Sequence, residues 1–99
     1  MKNKIILITG ATSGIGQAVA SRFASMGSKL ILCGRRKEKL KILAQELGGS
    51  HQLLIFDVRD KKAVFKAINS LPEDYKKIEL LINNAGNAHG MDPVQSADL

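Results

Sequence analysis

Apolar runs alternate along this chain of 99 residues with segments whose apolar residues recur at helical spacing. Four short runs rich in Ile and Leu predict buried strands, because a strand covered on both faces is apolar throughout. The segments between them repeat apolar residues every three or four positions, which predicts amphipathic helices. The predicted strands cover residues 4–9, 29–34, 52–56 and 78–83.

Residues typical of helix ends support this segmentation. Gly27 and Gly48 follow the first two predicted helices, where glycine is a common terminator. Asp60 can cap the third helix, and Pro72 closes it. The first helix is predicted over residues 14–26. The expected apolar faces are Ile15, Val19, Phe23 and Met26 in the first helix, Leu40, Leu43, Ala44 and Leu47 in the second, and Ala63, Val64, Ala67, Ile68 and Leu71 in the third.

Strands and helices in this order predict an α/β fold, with a parallel sheet and helices on both faces. We expect a Rossmann-type doubly wound parallel sheet with strand order 3-2-1-4. The length allows at most one small domain, residues 1–99. The fourth strand would lie at a sheet edge, which is prone to aggregate unless it is covered. We therefore expect that the chain is the N-terminal part of a longer dinucleotide-binding domain, or that something else covers that edge.

The segment between the first strand and the first helix predicts a phosphate site. Gly10 permits a tight turn, Gly14 lets an anion approach the backbone, and Gly16 lets the helix pack closely. The free N–H groups and the positive end of the helix would face the phosphates. Thr12 and Ser13 offer hydroxyl donors to the same anion.

Two motifs carry a resemblance to a known family. The spacing TGxxxGxG over residues 9–16 and the sequence NNAG over residues 83–86, each directly after a predicted strand, resemble the short-chain dehydrogenase/reductase family. The resemblance covers essentially the whole chain but not the whole of a family member. It implies a nicotinamide cofactor and hydride transfer between that cofactor and an alcohol or carbonyl.

The end of the second strand indicates which nicotinamide cofactor is bound. NAD-binding folds place an Asp or Glu here to accept hydrogen bonds from the ribose hydroxyls. This chain has Gly34 followed by Arg35 and Arg36. Guanidinium groups would bind a 2′-phosphate, so the prediction is NADP(H). The alternative is that both arginines merely open a solvated helix, although a helix N-terminus disfavours cations.

Further cofactor contacts follow from the resemblance alone. It implies that Asp57 contacts the adenine amino group and that Val58 lines the adenine pocket, although Asp57 could instead only cap the following turn. Asn84, Ala85 and Gly86 would run beside the adenosine ribose, whereas Asn83 is expected to tie neighbouring strands through its amide. The predicted cofactor-binding residues are Gly10, Ala11, Thr12, Ser13, Gly14, Ile15, Gly16, Arg35, Arg36, Asp57, Val58, Asn84, Ala85 and Gly86.

No catalytic residue is assigned to this chain. The resemblance implies a tyrosine within a YxxxK motif as general acid/base, with a serine and an asparagine, all downstream of NNAG. Tyr75 does not fit, because Glu79 stands where that lysine would be and both residues precede the motif. Short stretches, including residues 33–40 and 56–60, resemble an NADP-dependent branch acting on small 3-hydroxy acids and hydroxy amino acids such as serine or allo-threonine. The resemblance also implies a homo-oligomeric full-length protein.

Composition and charge narrow the remaining classes. No apolar run reaches the length of a membrane span, no signal peptide is evident, and the single Cys33 suits a reducing cytoplasm. Neither histidine is placed with other ligands at metal spacing. The net charge of +6 could mark a nucleic-acid surface, but aromatic residues make up only 4% of the chain and no nucleic-acid motif is present. Two alternatives to an enzyme remain: a stand-alone NADP(H)-binding module without catalysis, and a basic protein that contacts an acidic partner.

Overall fold

The four strands form one parallel sheet in the order β3-β2-β1-β4, which confirms the predicted fold class and strand order. The computed structural model describes residues 2–84 of the chain. In register, Ile6 of the first strand pairs with Leu30 of the second and Leu80 of the fourth. The elements are β1 (Ile5–Thr9), α1 (Gly14–Ser25), β2 (Lys29–Gly34), α2 (Lys37–Leu47), β3 (Gln52–Ile55), α3 (Lys61–Asn69), a 3₁₀ turn (Glu73–Tyr75) and β4 (Leu80–Asn83).

Two hydrophobic cores cover the two faces of the sheet. Ile6 and Ile8 of β1 belong to one core with residues of α1 and α2, whereas Ile5 and Leu7 belong to the other with residues of α3 and the 3₁₀ turn. This alternation follows from the period of two residues in a strand. Full burial of an Ile or Leu side chain contributes about 1.5–3 kcal/mol, so β1 is a main source of stability. The doubly wound arrangement holds the carboxyl ends of all four strands at one edge.

The predicted apolar face of α1 is partly wrong. Val19 and Phe23 pack against the core as expected, but Ile15 is 50% exposed and Met26 is 40% exposed and lies beyond the helix end. The fully buried residue of α1 that is counted in the core is Ala20. The helix lies so close to the sheet that small residues mark its buried side. The faces predicted for α2 and α3 do pack against the cores.

The start of the fourth strand is also later than predicted. The backbone N–H of Ile78 donates to the Lys76 carbonyl at 3.0 Å, so residue 78 belongs to a turn. The Glu79 carboxylate accepts from the Lys4 ammonium at 3.0 Å and from the Ile5 N–H at 3.3 Å. The Glu79 backbone N–H donates to the Ile5 carbonyl at 2.9 Å, and the register pairs of β1 with β4 run from Leu80 onward.

We call the end of the sheet at which the four strands begin the amino edge. Side chains from the neighbouring loops cover it. The Tyr75 hydroxyl donates to the Ser50 carbonyl at 2.9 Å, and the Lys29 ammonium lies 5.7 Å from the centroid of the Tyr75 ring. The Leu30 N–H donates to His51 Nδ1 at 3.2 Å. This bond lies directly before the first backbone pair of β2 and β3, Ile31 with Gln52. Tyr75 is thus a buried core residue, far along the strands from the glycine turn.

Candidate functional site

The carboxyl edge, where the four strands end, gathers the residues predicted to bind the cofactor. The glycine turn follows β1, the two arginines follow β2, Asp57 and Val58 follow β3, and Asn84 follows β4. In open α/β sheets ligands bind in the crevice outside these ends. Ala85 and Gly86 of the predicted set lie outside the described residues.

The glycine turn is fixed by its own hydrogen bonds. Gly10 has φ of 61°, a left-handed conformation that glycine adopts without strain. The Ser13 hydroxyl donates to the Gly10 carbonyl at 2.9 Å and accepts from the Gly16 N–H at 3.0 Å, so Ser13 is the N-cap of α1. The N–H groups of Gly14 and Ile15 lie in the first turn, where an α-helix offers no carbonyl partner. They are therefore available to an anion.

The other two glycines of the turn have different surroundings. A Cβ on Gly16 would collide with the Gly10 carbonyl oxygen and would lie 2.9 Å from Ala11 Cα, so this position admits no side chain. A Cβ on Gly14 would meet no described atom within 4 Å. Gly16 therefore allows the helix to approach the strand, whereas Gly14 leaves open space in front of the helix N-terminus. The close packing predicted for Gly16 is therefore confirmed, and the approach of an anion to Gly14 stays a prediction.

Asn84 links the end of β4 to the glycine turn. Its side chain is buried, and Nδ2 donates to the Gly10 carbonyl at 3.2 Å and to the Ser13 hydroxyl. The neighbouring Asn83 accepts from the Thr9 hydroxyl through Oδ1 at 2.9 Å, which confirms its predicted role in tying two strands. The contribution of Thr9 and the contact of Asn84 with the turn were not predicted. They depend on the pairing of β1 with β4, which brings together residues more than seventy positions apart.

The two arginines after β2 are exposed. Arg36 is the N-cap of α2 and makes no side-chain capping bond there. The Arg35 side chain is 65% exposed, and its nearest carboxylate oxygen is Asp57 Oδ2 at 3.9 Å, beyond hydrogen-bonding distance. A Cβ on Gly34 would lie 3.6 Å from Leu40, an ordinary contact. Contact with Leu40 therefore does not require a glycine at position 34, and the position carries no acidic side chain.

Asp57 is held by Arg59. The Arg59 guanidinium donates to Oδ1 at 3.1 Å through Nε and to Oδ2 at 2.8 Å through its terminal nitrogen, and the Arg59 backbone N–H donates to Oδ1 at 3.0 Å. These bonds lower the pKa of Asp57 to about 2, so the carboxylate is ionised at neutral pH. Asp57 does cap the turn after β3, the alternative considered from the sequence. Arg59 was not predicted, although an Asp side chain commonly bonds to the backbone N–H two residues further on, as Asp57 does here.

Apolar residues also reach solvent at or near the carboxyl edge. Ile15, Val58 and Ile55 are 50%, 40% and 43% exposed. Thr12 is half-buried, and its carbonyl accepts from the Gln17 side-chain amide at 2.8 Å. The edge therefore combines helix N–H groups, cations and apolar surface, the mixture expected around a nucleotide.

The described residues contain neither a reactive thiol, nor a metal site, nor a membrane-spanning helix. Burial raises the pKa of the Cys33 thiol to about 12, which keeps it protonated and unreactive at neutral pH. Within residues 2–84, His, Cys, Asp and Glu side chains do not form a group of three that could hold a metal ion. The helices of the same residues are too short or too polar to cross a bilayer.

Comparison with known proteins agrees with this site. The profile of the short chain dehydrogenase family matches residues 4–99. The chain is 50% identical over 97 residues to sulfoacetaldehyde reductase 2 of Chromohalobacter salexigens, covering 96% of this chain and 38% of that protein. It is 42% identical over 95 residues to an NADP-dependent 3-hydroxy acid dehydrogenase of Shigella flexneri, covering 96% of this chain and 38% of that protein.

The chain is also similar to a solved structure that contains a bound nucleotide. The closed form of serine dehydrogenase complexed with NADP+ superposes with a TM-score of 0.77 at 41% identity, covering 81% of this chain and 32% of that one. The chain spans about two fifths of the length of the relatives named above. The family match covers nearly all of the present residues, and the chain belongs to the short chain dehydrogenase family.

Proposed function

We propose that this chain binds NADP(H), and that it is the cofactor-binding part of an enzyme that transfers a hydride between NADP and a small hydroxy acid or hydroxy amino acid. The observation that carries the proposal is the pair of exposed arginines at the end of β2, beside a glycine that packing does not require. An acid at that place would repel a 2′-phosphate and accept from a free ribose hydroxyl. The exposed guanidinium of Arg35 and the neighbouring Arg36 favour the phosphorylated cofactor.

The pyrophosphate would bind at the N-terminus of α1. The space in front of Gly14 admits it, and the helix dipole and first-turn N–H groups attract it. Ser13 already caps the helix and accepts from Asn84, so in this conformation its main contribution is to hold the turn in shape. Such preorganisation lowers the cost of binding because the loop is ordered in advance. The proposed cofactor-binding residues of this turn are Gly10, Ala11, Thr12, Ser13, Gly14, Ile15 and Gly16. Gly14 and Ile15 would offer their N–H groups to the pyrophosphate, and the buried Ala11 donates its N–H to the Cys33 carbonyl and helps to shape the turn.

The adenosine would extend from this turn across the ends of β2 and β3. Val58 is exposed there and would cover one face of the adenine, beside Asp57. Oδ1 of Asp57 already accepts two hydrogen bonds from Arg59, so an adenine amino group would bind Oδ2, which Arg59 contacts through its terminal nitrogen at 2.8 Å. Asn84, with Ala85 and Gly86, would lie along the ribose. The polar groups present therefore fit an adenine dinucleotide with a 2′-phosphate.

The nicotinamide, when bound, supplies the hydride acceptor or donor. The residues of β1 and α1 then fix where the cofactor sits, and the substrate and proton-transfer groups are supplied elsewhere. We propose that residues 1–99 are the N-terminal part of a Rossmann domain whose catalytic Ser, Tyr and Lys follow, and that this segment is inactive when alone. The match of the chain to about 38% of each relative supports this division. The similarity to a 3-hydroxy acid dehydrogenase and to a serine dehydrogenase supports the proposed hydroxy-acid substrate.

A stand-alone NADP(H)-binding module is the second candidate, since binding needs only the carboxyl edge. One set of measurements separates the possibilities in the protein as its gene encodes it. Titrations with NADPH and NADH, followed by fluorescence, report cofactor choice, and NADP+ reduction in the presence of small 3-hydroxy acids reports catalysis. We expect tighter binding of NADPH and reduction of NADP+. NADPH binding without turnover on any hydroxy acid supports the module, and an absence of NADPH binding contradicts both candidates.

A further inference from the structure

Asp57 lies between two guanidinium groups that it engages unequally. Arg59 contacts both carboxylate oxygens at hydrogen-bonding distance, as a fork, whereas the nearest Arg35 nitrogen stays 3.9 Å from Oδ2. The Arg59 backbone N–H adds a further bond to Oδ1. The fork and the turn together make Arg59 the main partner of the carboxylate.

The identity of that partner matters for the proposed 2′-phosphate site. An unpaired carboxylate beside Arg35 would attract its guanidinium and would repel an incoming phosphate. Both effects would oppose binding of the phosphorylated cofactor and neither would oppose NADH. By occupying Asp57, Arg59 leaves Arg35 65% exposed and unbonded to the acid. The low pKa of Asp57 means that protonation does not remove this negative charge at physiological pH.

We propose that Arg59 is a positioning residue for cofactor selectivity, which acts by occupying Asp57 so that Arg35 remains available to the 2′-phosphate. The inference rests on the proposed binding of NADP(H). Arg59 need not touch the nucleotide. Its effect passes through the carboxylate, which distinguishes it from Arg35 and Arg36.

The test is a double-mutant cycle measured as the ratio of the dissociation constants for NADH and NADPH. Arg59→Ala should lower this ratio about fivefold, the scale of one exposed ion pair, with NADH binding unchanged. In the Asp57→Asn background, Arg59→Ala should leave the ratio unchanged, because there is no carboxylate left to occupy. Arg59→Lys should give a ratio between those of Arg59→Ala and the wild type, because lysine keeps the positive charge but cannot contact both carboxylate oxygens as a guanidinium does. Arg22→Ala, at the far end of α1, removes an equal charge and should have no effect.

The outcomes separate this inference from the function on which it rests. A loss of equal size in both backgrounds would mean that Arg59 contacts the phosphate itself, and an unchanged ratio in both would mean that it plays no part. Either result overturns the inference while the wild-type preference for NADPH stands. A wild-type protein without that preference would overturn the proposed function, and the inference with it. A folding defect lowers the affinity for both nucleotides and leaves the ratio intact.

Discussion

The two edges of the sheet use their polar groups differently. At the amino edge Lys4 pairs with Glu79 at 3.0 Å, and Lys29 lies over the ring of Tyr75. At the carboxyl edge Arg35 and Arg36 stay exposed, and Asp57 bonds to a third arginine. The carboxyl edge therefore carries an excess of positive charge beside the N-terminus of α1.

This difference separates groups that serve the fold from groups that serve a ligand. At the amino edge Glu79, Tyr75 and His51 Nδ1 bond within the fold, whereas His51 Nε2 is buried without a hydrogen-bond partner among the described residues. At the carboxyl edge Ser13 and Asn84 likewise bond to the glycine turn. The two arginines after β2 and the first-turn N–H groups of α1, however, remain exposed to solvent. A surface that accumulates like charge loses stability unless an anion completes it. The proposed cofactor is such an anion.

The largest effect on stability is expected when the packing role of Gly16 is tested against the open space at Gly14. Gly16→Ala should lower the free energy of unfolding by roughly 3 kcal/mol, because its methyl group collides with backbone. Gly14→Ala is the matched control: it should leave the melting temperature nearly unchanged and weaken binding of both nucleotides, since its methyl group fills only the anion space. Thermal melts and nucleotide titrations check both. Equal melting temperatures for the two variants would contradict the account.

A smaller effect should follow from placing a charge at the end of β2. Gly34→Asp should weaken NADPH binding by roughly 1–3 kcal/mol, a factor of about 5 to 160, because the new carboxylate repels the 2′-phosphate and pairs with the arginines. NADH binding should be unchanged or stronger. Gly34→Asn has the same shape without the charge and should change the ratio little. Equal loss of NADPH binding in both variants would show that the space, and not the charge, matters.

The smallest effect concerns the amino edge and acid. Burial lowers the pKa of His51, opposed in part by the Gly48 backbone, and Nδ1 accepts from the Leu30 N–H only while it is unprotonated. The contribution of neutral His51 to the free energy of unfolding is fully present above the pKa of the unfolded state, about 6.5. It declines as the pH falls toward the lower pKa of the folded state. Melting temperatures between pH 7.5 and 5 should therefore fall more steeply in the wild type than in His51→Gln. Parallel curves for the wild type and His51→Gln would contradict this assignment.

Most of the fold was accessible from the sequence because its signals are local. Apolar runs, helical spacing and end residues such as Gly27 and Asp60 predicted the elements and, through the βα alternation, the order of the strands. The face of α1 was misjudged because large apolar residues were taken to mark the buried side. There the helix approaches the sheet closely, and Gly16 and Ala20 mark it instead.

The candidate site was predictable in its composition but not in its connections. The glycine spacing and the arginines after β2 follow from backbone and charge requirements that short motifs express. The bonds of Asn84 to the turn and of Thr9 to Asn83 join residues more than seventy positions apart, and single-sequence patterns carry no signal for them. The Arg59 fork is local, within two residues of Asp57, and could have been recognised from its spacing.

Titrations of the wild type and of the Arg35→Ala/Arg36→Ala variant with NADPH and NADH, in the protein as its gene encodes it, decide whether the carboxyl edge binds NADP(H). Each guanidinium contributes charge-assisted hydrogen bonds to a phosphate, so we expect NADPH affinity to fall by about 2–4 kcal/mol and NADH affinity to stay the same. Arg22→Ala serves as the charge-matched control. Equal losses for the two nucleotides would contradict the assignment of the carboxyl edge to NADP(H).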